Sequence, residues 1–260
     1  MGVLQRFSLV GRIALVTGGA GPQFGRSLSE GLAEAGATVI VASRSLDRTT
    51  AFAEELRGRG HEAHGMVVDI TETKSILQLH DDILAKFGRL DVLVNSALAR
   101  VTGTLETQTV DDYMYRAKGD MVGLFLMCRC FLDDMVRQRK GSIVNISSIY
   151  GVVGNDPTMY VGTQMLTDPT YNFVKAGMIN YTRSVANYYG KQGVRANCIS
   201  PGGYFNSQPE PFLRRYLDRV PLGRMMGHDD IKGAVVFLAS DASEYVTGAN
   251  LIVDGGWTAL

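Results

Sequence analysis

The sequence predicts an α/β fold in which one doubly wound parallel sheet is covered by helices on both faces. Three observations predict it. Apolar strand-like runs alternate with amphipathic helix-like stretches along the chain. The strand runs are continuously apolar, which marks strands buried on both faces. A glycine-rich turn, Thr17 to Gly25, joins the first strand to the first helix. In order, 13–16 reads as a strand and 25–35 as a helix that stops at Gly36. A second strand at 38–42 leads into a helix at 47–57. Further strands are expected at 63–68, 92–94, 142–146, 195–200 and 250–253. Helices are expected between them at 72–87, 110–139, 171–189 and 228–238. The 260 residues suit one sizeable α/β domain better than two small ones. No repeat, linker or low-complexity block interrupts them.

Composition narrows the partners. Hydrophobic residues make up 45%, enough for a real core. Lys+Arg and Asp+Glu each count 26, so nothing points to nucleic acid or an anionic membrane surface. A formal charge of zero leaves little repulsion to oppose self-association. Cys128, Cys130 and Cys198 are too few and too sparse for a disulfide framework. The Cys128/Cys130 pair lies in an apolar stretch and reads as small buried hydrophobes on a helix, so no metal site is expected. Residues 1–10 lack the apolar run of a signal peptide, and no stretch is long enough to span a membrane. A soluble, cytoplasmic protein is therefore expected.

The turn Thr17-Gly18-Gly19-Ala20-Gly21-Pro22-Gln23-Phe24-Gly25 has a physical purpose beyond turning. Glycines permit a tight bend and close backbone approach to a pyrophosphate, and the helix start offers free N–H groups. The turn resembles the TGxxxGxG pattern of the short-chain dehydrogenase/reductase family, which implies a Rossmann-type sheet. It departs from that pattern by one extra residue and by Gln23 in place of the middle glycine, for which Gly21 compensates. Gly18, Gly21, Gln23, Phe24 and Gly25 are thus expected to meet the cofactor. After the second strand, Ser43 stands where an NAD site carries an acid, and Arg44 follows. That pair favours NADP(H) over NAD(H). The resemblance assigns Asp69 to the adenine, with capping of the next helix as its rival role. It assigns Asn95 and Ala97, in a variant of the family's NNAG, to the adenosine ribose. It also assigns Pro201, Gly202, Tyr204 and Asn206, after the sixth strand, to the nicotinamide, with Asn206 replacing the usual Thr.

Hydride transfer between an alcohol and a carbonyl needs a proton partner. A tyrosine serves only if its pKa falls from about 10 toward neutrality, and a nearby lysine ammonium can lower it. Tyr171-Asn172-Phe173-Val174-Lys175 places the two on one helical face. Ser148, after the strand ending Ile146-Ser147, matches the family's catalytic serine, with Ser147 its neighbour. Tyr160 lies nearer the family's usual distance from Ser148, but Gln164 stands where its lysine should be. Choosing Tyr171 implies an insertion at about 154–170 beside the substrate, with a short lid at about 204–219. Asp120 falls at the family's asparagine, whose carbonyl fixes a water near the lysine; a solvated or capping Asp is its rival reading.

The resemblance runs from Gly11 to Trp257. It implies an NAD(P)-dependent oxidoreductase acting on a small alcohol or carbonyl, assembled as a homotetramer or homodimer. Asn155, Asp156, Thr158, Tyr160, Thr163, Gln164, Thr167 and Asp168, with Gln208 and Glu210, suit a sugar, sugar acid or polyol, unless they simply face water. Alternatives are a 3-oxoacyl-carrier-protein reductase or, outside enzymes, a nicotinamide-nucleotide sensor that has lost catalysis. An enoyl reductase fits less well, because that branch spaces its Tyr and Lys more widely and Met178 stands in the lysine's place.

Overall fold

The computed structural model describes residues 2–259. Among them, seven strands form one sheet: β1 (Ile13–Thr17), β2 (Thr38–Ser43), β3 (Ala63–Val67), β4 (Val92–Asn95), β5 (Gly141–Ile146), β6 (Val194–Pro201) and β7 (Asn250–Val253). Their order is β3-β2-β1-β4-β5-β6-β7, and every pairing is parallel. The chain winds outward from β1 to β3, then returns to place β4 on the other side of β1. The carboxyl ends of β1 and β4 therefore form the switch point at which such sheets open a ligand crevice.

The helices are α1 (Phe24–Glu34), α2 (Leu46–Gly58), α3 (Thr73–Phe87), α4 (Val110–Ala117), α5 (Leu124–Gln138), α6 (Pro169–Tyr189), α7 (Glu210–Arg219) and α8 (Lys232–Ala239). Successive strand residues serve opposite faces. Val16, Val39 and Val94 pack with Leu28 and Leu32 of α1 and Val235 and Leu238 of α8. Leu15, Ile40 and Leu93 pack on the other face with Ile76, Leu79, Phe131, Met135 and Met178 of α3, α5 and α6. Of the pair expected to be buried, Cys128 is buried on α5 and burial pushes its pKa up to about 12, whereas Cys130 is only half-buried.

Three helices differ from the sequence expectation. The helix expected at 110–139 is interrupted by a π-helical turn, Lys118–Gly123. It crosses the ends of β3 and β4 so closely that a Cβ on Gly123 would lie 2.2 Å from the Ile70 carbonyl oxygen. The helix expected from 171 begins at Pro169, because Asp168 caps it and accepts from the Tyr171 amide. The helix expected from 228 begins only at Lys232; before it, Asp230 turns back to accept from the Gly227 amide and from Arg224. Among the described residues no helix is long and apolar enough to cross a membrane.

Candidate active site

A cavity of about 760 Å³ opens at the carboxyl ends of the central strands. Its lining runs from Ser43, Arg44, Ser45 and Arg48 after β2, past the glycine turn after β1 and Ala97 after β4, to Ser147 after β5. Tyr171 and Lys175 complete that last end. Four adjacent strands at ~4.8 Å spacing make a trough roughly 15 Å wide, the reach of an extended dinucleotide.

The glycine turn is built to let a ligand come close. Gly18 has φ +68°, and a Cβ there would sit 3.0 Å from Ala97 Cα. A Cβ on Gly25 would lie 2.1 Å from the Gly18 carbonyl oxygen, so only glycine fits. The Gly21 amide donates to Gly18 O at 2.9 Å, and Arg26 N donates to Gly21 O at 3.0 Å, closing the turn onto α1. No side chain caps α1 at Gln23. The Phe24 and Gly25 amides, unlike that of Arg26, are left for an anion, aided by the positive end of the helix dipole. Thr17 Oγ1 accepts from the Ser96 and Ala97 amides, each at 3.1 Å, and so fastens the β4 loop beside the turn. This donor set fits the pyrophosphate of a dinucleotide.

At the far end, Arg44 and Arg48 form no ion pair among the described residues. Arg48 was missed in the sequence, although its place one helical turn after Arg44 was the available signal. Arg26, nearer the turn, is already committed to Glu55 and lies over the Phe52 ring at 4.0 Å. Asp69 lines the cavity, yet its Oδ1 accepts from Thr71 N at 2.9 Å and from the Thr71 hydroxyl at 2.7 Å. The turn role and the cavity position are thus both occupied by one carboxylate. Asn95 is not part of the lining. It is buried, and its Nδ2 donates to Asn145 Oδ1 at 2.9 Å, joining β4 to β5.

The Tyr171/Lys175 end is organised by α6. The Asp168 cap fixes Tyr171 in the first turn, and Lys175 follows one turn later. Lys175 is buried. Its Nζ donates to Ile146 O at 2.6 Å and lies 5.5 Å from the centre of the Tyr171 ring. Ser147 Oγ donates to Lys175 O at 2.9 Å, tying β5 to α6. Ser148, the next residue, is buried outside the lining; its Oγ accepts from Tyr150 N at 3.1 Å. Asp120 lies in the π-helical turn, with Oδ1 accepting from Ala99 N at 2.7 Å and Oδ2 from Arg116 at 3.0 Å. Burial raises its pKa above the ordinary carboxylate value, opposed by Lys175, the Ala99 amide and Arg116.

Tyr160 has a different task. Its hydroxyl pairs with that of Tyr150 at 2.8 Å, and burial raises its pKa. It packs against Phe212 of α7 in a cluster with Met159, Tyr216 and Trp257. Most polar groups of 154–170 are also used internally. Asp156 bonds Thr158 and Arg219, Thr163 bonds Tyr160 O, and Asp168 bonds Thr170, Gln108 and Arg116. That leaves fewer groups for a substrate than the composition suggested.

Pro201, Gly202, Tyr204 and Asn206 do not line the main cavity. Gly202 donates to Val253 O at 2.9 Å and borders a second cavity of about 250 Å³. Tyr204 bridges to Met226 and meets Phe24 edge-on at 5.5 Å. The Asn206 amide donates to Gln208 Oε1 at 2.8 Å. The segment is tied to β7 and the α8 approach rather than to the trough. Leu98, Ala99, Arg100 and Tyr115, not anticipated from sequence, line the trough with Tyr171.

A family model described as enoyl-(acyl carrier protein) reductase matches residues 19–258. The chain belongs to the short-chain dehydrogenase/reductase family. Its similarity to members of that family spans both chains almost completely. The 3-oxoacyl-acyl-carrier-protein reductase of Aquifex aeolicus is 33% identical, over 97% of this chain and 99% of that protein. The 2-dehydro-3-deoxy-D-gluconate 5-dehydrogenase of Escherichia coli K12 is 32% identical, over 99% of each. A crystal structure of a gluconate 5-dehydrogenase from Burkholderia cenocepacia J2315, in complex with NADP and tartrate, superposes with TM-score 0.91 at 29% identity over 100% of both chains. Like them, this short-chain dehydrogenase/reductase is an NAD(P)-dependent oxidoreductase.

Proposed function

We propose that the enzyme uses NADP(H) to interconvert an alcohol and a carbonyl on a small hydroxylated substrate, a sugar acid above all. The observation that carries this reading is one continuous trough, with Arg44 and Arg48 at one end and Tyr171 and Lys175 at the other. Two cations and two serine hydroxyls suit a 2′-phosphate, and no acid stands there to bond ribose hydroxyls. When bound, the nicotinamide supplies or accepts the hydride. Tyr171 gives or takes the proton at the substrate oxygen. Lys175, anchored on Ile146 O, holds an ammonium beside the phenol and stabilises its anion. Ser148, though buried outside the trough lining, keeps its own proton uncommitted while Tyr150 N engages its oxygen, and polarising the substrate oxygen is the role proposed for that proton. Asp120 acts from behind, setting the Ala99 loop.

Arg100 supports an acidic substrate: it lines the trough near Tyr115 and forms no ion pair among the described residues. Relatives acting on gluconate-type acids agree with this. The second reading is a 3-oxoacyl-carrier-protein reductase, favoured by the Aquifex relative. Met178 in place of a more distant lysine disfavours enoyl reduction. Steady-state assays with NADPH or NADP⁺ on a sugar-acid panel and on an acetoacetyl thioester decide between them. Sugar-acid turnover that loses KM but not kcat in Arg100→Ala supports the first reading; turnover of the thioester alone establishes the second. We also propose a homotetramer or homodimer. Met114, Met121, Val122, Phe125, Phe173 and Tyr188 expose apolar surface on α4, the π-helical turn, α5 and α6, and sizing as a monomer would overturn this.

A further inference from the structure

Arg116 is the largest fully buried side chain in the described structure, at 1% exposure. A buried guanidinium is costly unless paired on more than one side. Arg116 pairs with Asp120 at 3.0 Å and with Asp168, and its guanidinium carbon lies 5.7 Å from the centre of the Tyr171 ring. Asp168 in turn caps α6 on the Tyr171 amide at 3.1 Å. We propose that Arg116 is a positioning residue for Tyr171: it offsets the charge of Asp120 and holds the cap from which Tyr171 projects.

The charge count explains why it is needed. Lys175 and Arg116 stand against the Tyr171 ring, Asp168 is at its cap, Asp120 bonds Arg116 from the π-helical turn, the phenols Tyr150 and Tyr160 lie nearby, and the exposed Arg100 and Tyr115 share the trough lining. Within the cluster of Lys175, Arg116, Asp168 and Asp120, two cations and two carboxylates balance. Without Arg116, Lys175 alone faces two carboxylates, which disfavours a phenolate. The Arg116–Asp120 pair thus lets a carboxylate occupy the turn beside the site without loading it with negative charge.

The inference rests on Tyr171 as the acid/base group, so its test reads the phenol directly rather than turnover. Phenolate absorbance is titrated in the full-length enzyme, each variant taken as the difference from its matching Tyr171→Phe partner. Asp120 can take up a proton and mask the loss of Arg116, so the comparison is made in the Asp120→Asn background. Asp120→Asn lowers the midpoint relative to the parent enzyme. Adding Arg116→Met raises it again by about half a pH unit or more, roughly threefold in phenolate fraction. Arg116→Lys, which keeps the charge, leaves it with Asp120→Asn. Thermal melting runs in parallel; if the Met double variant is unfolded at room temperature, Arg116→Gln replaces it with the same shift expected. Equal midpoints with and without the Arg116 charge, or a Lys variant that shifts as far as Met, overturn the proposal. Failure of Tyr171→Phe to lose turnover would instead overturn the acid/base assignment.

Discussion

Removing Arg44 and Arg48 tests cofactor choice at its source. Both guanidinia line the trough, and neither has an ion-pair partner among the described residues, so each is available to a phosphate. A hydrogen bond to a charged group is worth about 1.5–3 kcal/mol. Both side chains are solvent-exposed, which screens them and favours the lower end of that range. About 1.5 kcal/mol is slightly more than tenfold in affinity. Arg44→Ala and Arg48→Ala should therefore each weaken NADPH roughly tenfold by this reckoning, and the pair on the order of a hundredfold. NADH lacks the 2′-phosphate and should change less than about threefold, since it gains only general steering from the charges. Protein-fluorescence quenching gives both dissociation constants. The loss should shrink with added salt. Equal losses for NADPH and NADH would refute the reasoning, because the arginines would then be serving the shared part of the cofactor or the loop itself.

Tyr171→Phe should lower kcat by about 10²- to 10⁴-fold with NADPH affinity nearly unchanged, as for loss of a general acid/base; a joint loss of both in titration and turnover would indicate a structural role. Tyr160→Phe strands the buried Tyr150 hydroxyl and should cost about 1–3 kcal/mol in denaturant melts. It should keep kcat within a few-fold; a hundredfold loss would shift the proton transfer to Tyr160. Gly25→Ala places its Cβ 2.1 Å from Gly18 O. It should cost about 1–3 kcal/mol and abolish NADPH quenching well before it unfolds the protein. Glu30 is buried, which alone would raise its pKa, but His228, Lys232 and Arg59 outweigh burial and hold it below its ordinary 4.5. A depressed carboxylate stabilises the fold above its unfolded value, and that stability is lost as pH falls through the folded value. Melting temperatures of the parent and Glu30→Gln should therefore converge between about pH 5 and pH 3; curves that stay parallel count against it.

The alternation of apolar strands with helices was enough to specify the sheet, because strands buried on both faces carry no competing pattern. Each strand expected from the sequence is present, with edges displaced by a residue or two. The glycine turn and the Tyr171/Lys175 pair were legible because their spacing is local. What was not legible depends on contacts distant in sequence. Asn95 and Asn206 follow the strands that the resemblance indicates, yet neither lines the trough: the Asn95 side chain is taken by Asn145, and the Asn206 backbone N–H is turned onto Gln208. The π-helical turn gives no periodic signal. It coincides with the close approach of Gly123 to Ile70, and apolar residues at helical spacing read straight through it. Arg116 and Asp120 show an i, i+4 pairing in the sequence, but only the fold reveals that it is buried and joined to Asp168.

The choice between Tyr160 and Tyr171 turns on the surroundings that the fold gives each phenol. Spacing from Ser148 favoured Tyr160, and the lysine favoured Tyr171. The structure gives the two tyrosines different surroundings. Tyr171 stands beside the Lys175 ammonium and the Arg116 guanidinium. Tyr160 is sunk among aromatic rings against a second phenol, which favours the neutral form. Its turn, Pro157–Tyr160, is clamped to α7: Arg215 donates to Val161 O at 2.6 Å, and Arg219 pairs with Asp156. The segment 154–170 and the expected lid thus form one polar-clamped, aromatic-cored unit. Asp168, at the end of that segment, caps the helix that carries Tyr171 and Lys175. Any displacement of the unit would therefore reach Tyr171 through Asp168, which accepts from its backbone N–H.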